Sequence, residues 1–540
     1  MKHLLLTTLF IALFNFNSTA QEVKLSKEFS YSVSTPYRVV DGMKSYFSRD
    51  GEILAVKYGR GKFHFQKFSG AKLNESKHNT VEKGEGFTPE SYLEFAGQYY
   101  FFFSRWDKAN ETEQLFVREI DFDKANWAGK ERLLIKVKGK VTGGFGITGF
   151  GGMFGITAGA RGGKFNFDQS YSEERFIVQY RMKPKTKNDS KSKDIIGMHV
   201  YGKNLEEVWS KKITMPYTEK KMNNVGYTID EKGNTYILAE VYRTETAKKI
   251  VKGKLNYDLE LIRVSADDQD LSSTKIELED KFIKNINFYE GKDGGIVIAG
   301  YYGNRARSGT DGVFIYKLDD SGDLIDKLSY EIPVDVMKLY KSDRAQSKME
   351  KKSGEKDYSM PNMVLREIVY EEDGSITLYG ERYYVVSHHN PKTGQTTYTY
   401  YYQEILATHI DKENELLWMV KLPKNQRGSA GRGGMGYYVL SQKNYHYVLF
   451  LDNVKNIELP LNKYPKTHQD GKGGFLTGFK IEKESGKVEK VSILDTRDAK
   501  GVALYQFNTG RIIETAEGEF AVECYKKKKE DVMLKITLND

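Results

Sequence analysis

The feature that most constrains this chain is a short pattern of strand and turn that returns along its length. Its clearest copy runs from Asn285 to Pro333. Ile286–Tyr289 alternates, and Lys292-Asp293-Gly294-Gly295 has the chemistry of a tight hairpin turn. Ile296–Tyr302 and Gly312–Leu318 follow as apolar strands. Asp319-Asp320-Ser321-Gly322 turns again, and Leu324–Ile332 supplies a fourth strand. Four antiparallel strands therefore fit into one compact unit.

The same order recurs. The first turn returns at Asp50-Gly51, Ala96-Gly97, Glu173-Glu174, Lys232-Gly233, Asp373-Gly374, Lys443-Asn444 and Glu517-Gly518, each followed by a β-branched or aromatic run. Third strands often end in a basic residue, an aliphatic and a polar residue, as in Lys317-Leu318-Asp319 and Lys480-Ile481-Glu482. Eight units result, and the last stops one strand short after Leu534-Lys535-Ile536-Thr537. The missing piece lies at the other end, where Val23–Val33 alternates like a strand and precedes the first unit. A repeat array that lends its first strand to its last unit closes into a ring. This resembles the β-propeller, in which four-stranded blades surround a central channel. The resemblance is architectural, without a named blade signature. It implies an all-β fold of eight blades, or seven, because units one and two are the least regular. Two stacked β-sandwiches remain the alternative.

Composition agrees. Of 540 residues, 13% are aromatic, 50 are Gly and only 10 are Pro, which excludes a disordered or collagen-like chain. The single cysteine, Cys524, excludes an internal disulfide and reads as a buried strand residue. Residues 1–20 read as a secretory signal: Lys2 and His3, an apolar run from Leu4 to Phe16, then Ser18-Thr19-Ala20 before Gln21. The expected mature protein is one propeller over residues 21–540, exported to the periplasm or secreted, with no transmembrane helix. Lys+Arg exceed Asp+Glu by 83 to 74, a formal charge of +9.

In a propeller, the connections between strands one and two and between three and four share one face. The other connections share the opposite face, and here they take all the long insertions: 183–193, 244–254, 304–311, 387–399 and 453–473 within units, and 138–164, 339–362 and 424–436 between them. Long loops on a rigid scaffold are where binding groups collect. The insertion 141–160 is uncharged and holds eight glycines, which suits a flap or a contact finger better than a helix. The insertion 339–362 is charged.

Arg161, Arg305, Arg307, Arg427 and Arg432 fall on this face, and the planar guanidinium suits carboxylate, sulfate or phosphate. Tyr383 and Tyr384 lead into His388 and His389 in the most aromatic unit, where Tyr rings could stack on sugars. These nine residues are the candidate ligand-binding set. No third ligand is spaced with the two histidines, so neither metal nor cofactor is expected. Arg-Gly-Gly at Arg161 and Arg432 does not make a nucleic-acid site in an exported chain. No catalytic constellation emerges. The sequence favours an exported binding platform for an acidic glycan, lipopolysaccharide or envelope protein over an enzyme. A carbohydrate-active hydrolase or lyase, and a structural subunit of an envelope complex, stand as alternatives. Oligomeric state is not legible.

Overall fold

The computed structural model describes residues 25–539, apart from 85, 143–162, 185–190, 247, 269–270, 279–280, 293, 320–321, 342–345, 348–358 and 430–433. Its strands pair as eight antiparallel four-stranded blades. Units one and two, Met43–Glu82 and Thr88–Lys138, are complete blades, which settles eight over seven and removes the sandwich alternative. Local chemistry explains the hairpins. At Asp50-Gly51 and Ala96-Gly97 both turn residues have positive φ (53° and 76°, 51° and 71°), the backbone of a two-residue turn that follows the strand twist.

Each blade is apolar on both faces and must be covered on both. Eight hydrophobic clusters do this, one at each junction between neighbouring blades. The largest, between blades 7 and 8, includes Leu449, Leu476, Leu494, Phe520, Val532 and Leu534. Cys524 belongs to it and is fully buried.

Ring closure is as the incomplete last unit implies. Phe29–Val33 pairs antiparallel with Glu530–Leu538, from Phe29 opposite Leu538 to Val33 opposite Leu534. The chain then continues along the same strand, with Tyr37 opposite Asp531. The closing strand is shorter than Val23–Val33. Before Phe29 the Glu28 and Lys27 carbonyls still accept from Asn539, and the chain then turns to blade 7, where the Ser26 N–H donates to the Ser492 carbonyl and the Glu28 carboxylate accepts from Tyr447 and Lys480.

The junction that closure creates, between blades 8 and 1, has the smallest apolar cluster: Tyr37, Ile53, Ala55, Phe68, Leu73, Ala521 and Met533. Beside it lies a buried ionic one. Glu523 accepts from Lys57, from Lys44 at 2.5 Å, and from the hydroxyls of Tyr46 at 2.8 Å and Tyr37 at 3.0 Å. Lys44 also reaches Asp531 at 3.3 Å. Burial alone would raise the Glu523 carboxyl, but Lys57 and Lys44 outweigh it and hold the group well below the usual range.

The alternation of strand directions places the connection 453–474 on the same face as the other links between second and third strands. The last inter-blade connection, 496–511, is also long and carries no sequence mark. One expected loop is instead strand. Ile376–His389 and Thr396–Ile410 pair beyond the body of blade 6, because Tyr384, Val385 and Val386 keep facing Tyr401, Tyr400 and Thr399. No helix among the described residues is long and apolar enough to cross a membrane.

Removing the acid at the closure leaves two buried ammonium groups without their main counter-charge. Glu523→Ala is expected to cost about 3–5 kcal/mol in urea unfolding. A loss below about 1 kcal/mol would show that the cluster does not hold the ring.

Candidate functional site

The channel is lined by the first strand of each blade. In blades 2, 4, 5 and 6 this strand carries an extra residue near its start: Glu90, Val225, Lys284 and Arg366. Such bulges re-aim a side chain, and three of these four are charged. Lys284 donates to the carbonyls of Arg305 (2.8 Å) and Ala306 (3.0 Å), so it fixes the blade 5 loop that holds two candidate arginines. Glu90 accepts from Ser104 and from the backbone of Lys164 and Phe165; burial still pushes its carboxyl up to about 7.

Arg366 turns to blade 6. It donates to Glu381 at 3.0 Å and lies 4.8 Å from the ring of Tyr383 and 5.6 Å from that of Tyr402. Lys424, fully buried, meets the other Glu381 oxygen at 2.6 Å. These groups anchor the base of the projecting ribbon. On its other face Tyr384 stacks on Tyr401, centroids 4.6 Å apart and planes 7° from parallel, with the Arg382 guanidinium 5.5 Å away and Glu404 behind it. A third strand, Gln426–Gly428, pairs Arg427 with Tyr401.

The structure thus brings Tyr383, Tyr384 and Arg427 together on one sheet. His388 and His389 lie further along the same strand, both exposed, with His389 Nδ1 3.1 Å from the Thr396 hydroxyl. Arg305 and Arg307 are exposed on the neighbouring blade at the same face. Arg161, Arg432 and most of the glycine-rich insertion lie outside the described residues; its first two, Val141 and Thr142, pair with Met182 and Arg181. From 383 to 402 the only charged residue is Lys392. Val385, Val386 and Tyr398 are 41%, 46% and 52% exposed.

Below the ribbon, the channel has a floor. Tyr171, in the first turn of blade 3, meets Tyr370, at the end of the first strand of blade 6, edge to face with centroids 6.2 Å apart. Blades three places apart can touch in this way only across the axis. Glu290 of blade 5 ties the floor together, accepting the backbone N–H of Tyr171 and, at 2.6 Å, that of Glu231. Burial pushes Glu290 up to about 8 in spite of these bonds.

Three residues before each floor tyrosine stands a carboxyl: Asp168 on blade 3 and Glu367 on blade 6. Burial pushes Glu367 up to about 8, with Glu514 of blade 8 adding to the shift. Asp168 is pushed up to about 7 by burial, against hydrogen bonds from the Gln169 backbone and the Thr228 side chain. Both residues are half-buried, Asp168 opposite Ile177 beside blade 4 and Glu367 opposite Tyr379 beside blade 7. Sequence reasoning missed both, along with Arg366 and Arg382.

No family model matches the chain, and no curated protein matches it. Among solved structures it is similar to the Dos1 propeller, at 8% identity over 94% of this chain and 95% of that one, with a TM-score of 0.40. It is similar to one of two prolyl endopeptidases studied for inter-domain dynamics, at 11% identity over 94% of this chain, with a TM-score of 0.38; it spans 55% of that chain. A Synechocystis apocarotenoid oxygenase is similar at 9% identity, over 90% and 96% of the two chains, with a TM-score of 0.33. The propeller architecture itself stands on the strand pairing of this chain.

Glu367 gives the channel a pH signature. Its proton is held up to about pH 8 in the folded chain and is lost near 4.5 when the residue is unperturbed. The folded state therefore binds more protons between these values, and its stability falls as pH rises through that window. Glu367→Gln removes the dependence. The difference in Tm between variant and parent should move in the variant's favour from pH 5 to pH 8.5; an equal difference at both would contradict the assignment.

Proposed function

We propose that the protein is an exported binding platform whose long-loop face takes an acidic carbohydrate of the cell envelope. The observation that carries this reading is the projecting ribbon of blade 6, where stacked Tyr384 and Tyr401 are flanked by Arg382 and Arg427. Flat aromatic rings offer apolar area with a polar rim to a sugar face. Guanidinium groups offer paired N–H donors to carboxylate or sulfate. The ribbon is rooted by the Arg366–Glu381–Lys424 cluster, so its rings are held in place before a ligand arrives. Export rests on the amino-terminal pattern of Lys2, the Leu4–Phe16 run and Ser18-Thr19-Ala20. Lipopolysaccharide phosphate and an acidic envelope protein offer related charge, but neither uses the stacked rings as fully.

Titration calorimetry with polygalacturonate and with a neutral glucan tests the reading. Polygalacturonate should bind more tightly at low salt than at high salt, because part of the attraction is between exposed charges. Tyr384→Ala combined with Arg427→Ala should weaken it about tenfold or more, about 1.4 kcal/mol. Binding that ignores both salt and the double variant would place the ligand elsewhere.

A further inference from the structure

Closure joins the two ends of the chain, and a chain with a single cysteine has no internal disulfide to hold them together. The ionic group at that junction offers another covalent fastening. Among the described residues, Lys44 is the one lysine in ion-pair contact with two carboxyls that are both almost fully buried. Its Nζ lies 2.5 Å from Glu523 Oε1 and 3.3 Å from Asp531 Oδ2. Side-chain exposure is 9% for Lys44, 1% for Glu523 and 3% for Asp531.

Register explains how the three meet. Glu523 stands opposite Met533, two residues from Asp531 along the same strand, so both acids point from blade 8 towards blade 1. Lys44 and Lys57 are cross-strand partners on the facing sheet. Ammonium groups side by side repel, and each of these takes one oxygen of Glu523. Tyr37 lies over Lys57, its ring centroid 5.3 Å from Nζ, and packs on the buried Phe68. Burial lowers the Lys57 ammonium, and burial with the charge of Glu523 raises the Asp531 carboxyl. An amine and a carboxyl held in contact away from water, beside a carboxylate that can move protons, are the reactants of amide formation.

We propose that Lys44 and Asp531 condense to an isopeptide bond that ties blade 1 to blade 8, with Glu523 as the proton carrier. Glu523 Oε1 takes a proton from the Lys44 ammonium group and passes it to Asp531, leaving an amine beside a carboxylic acid. The amine attacks Asp531 Cγ. The Nζ–Cγ bond forms, the Cγ–Oδ2 bond breaks, and the hydroxyl leaves as water with a second proton from Nζ. Atoms and charges balance without a further reactant, and Glu523 ends as it began. Two effects favour the step. Contact in the folded ring replaces a bimolecular encounter. Condensation also removes one buried ammonium and one buried carboxylate, whose desolvation is costly, and leaves Lys57 paired with Glu523.

Intact-mass spectrometry of the unfolded full chain tests this. The parent should be one water lighter than the sequence from its observed amino terminus requires. Tandem spectra should map the loss to a branched peptide joining Lys44 to Asp531. Lys44→Arg keeps the cation but lacks the amine, and should restore the full mass; Glu523→Gln should do the same by removing the carrier. A parent of full sequence mass would overturn the proposal, whatever the variants do. So would a water loss mapped to other residues, or one that either variant retains.

Discussion

Everything in this molecule depends on the ring closing. A blade that is apolar on both faces is stable only with a neighbour on each side, so a gap at one junction would expose two sheets. Closure falls to a five-residue strand, Phe29–Val33, and to the junction with the smallest apolar cluster. The buried Glu523–Lys44–Lys57 group sits there, with the hydroxyls of Tyr37 and Tyr46 completing it. Apolar residues would pack blades 8 and 1 in more than one register. A carboxylate that needs four donors accepts only one, and we attribute the ionic junction to that demand for register.

The ring positions two sets of aromatic side chains. At the long-loop face, the bulge at Arg366 and the pairing of Tyr383–His389 with Thr396–Tyr402 carry aromatic and cationic groups outward. Along the axis, Tyr171 of blade 3 meets Tyr370 of blade 6, and Glu290 of blade 5 holds the turn that carries Tyr171.

The blades were legible in the sequence because turn chemistry and alternation are local. Asp50-Gly51 and Lys535-Ile536-Thr537 can each be read within a few residues, and the incomplete last unit pointed to the amino-terminal strand. The aromatic excess around Tyr383 and Tyr384 was visible for the same reason, although extension of the ladder to His389 was not, since nothing local separates a loop from a free-standing ribbon. The axial tyrosine contact was illegible. Alternation along a first strand does not say which residues turn toward the axis, and the extra residue at Arg366 shifts the parity before Glu367. Tyr171 and Tyr370 meet only because the ring brings distant blades together. Lys57 and Glu523 are likewise neighbours only through closure.

Closure can be measured directly by covalent trapping. Ser32 faces Lys535 across the closing pair, and the lone native cysteine is buried in blade 8. In Ser32→Cys/Lys535→Cys protein, the account predicts an intramolecular disulfide under native, mildly oxidising conditions, with a raised Tm that returns to the parent value on reduction. Failure of the pair to cross-link in the native state, or cross-linking only between chains, would contradict a ring closed by its own first strand.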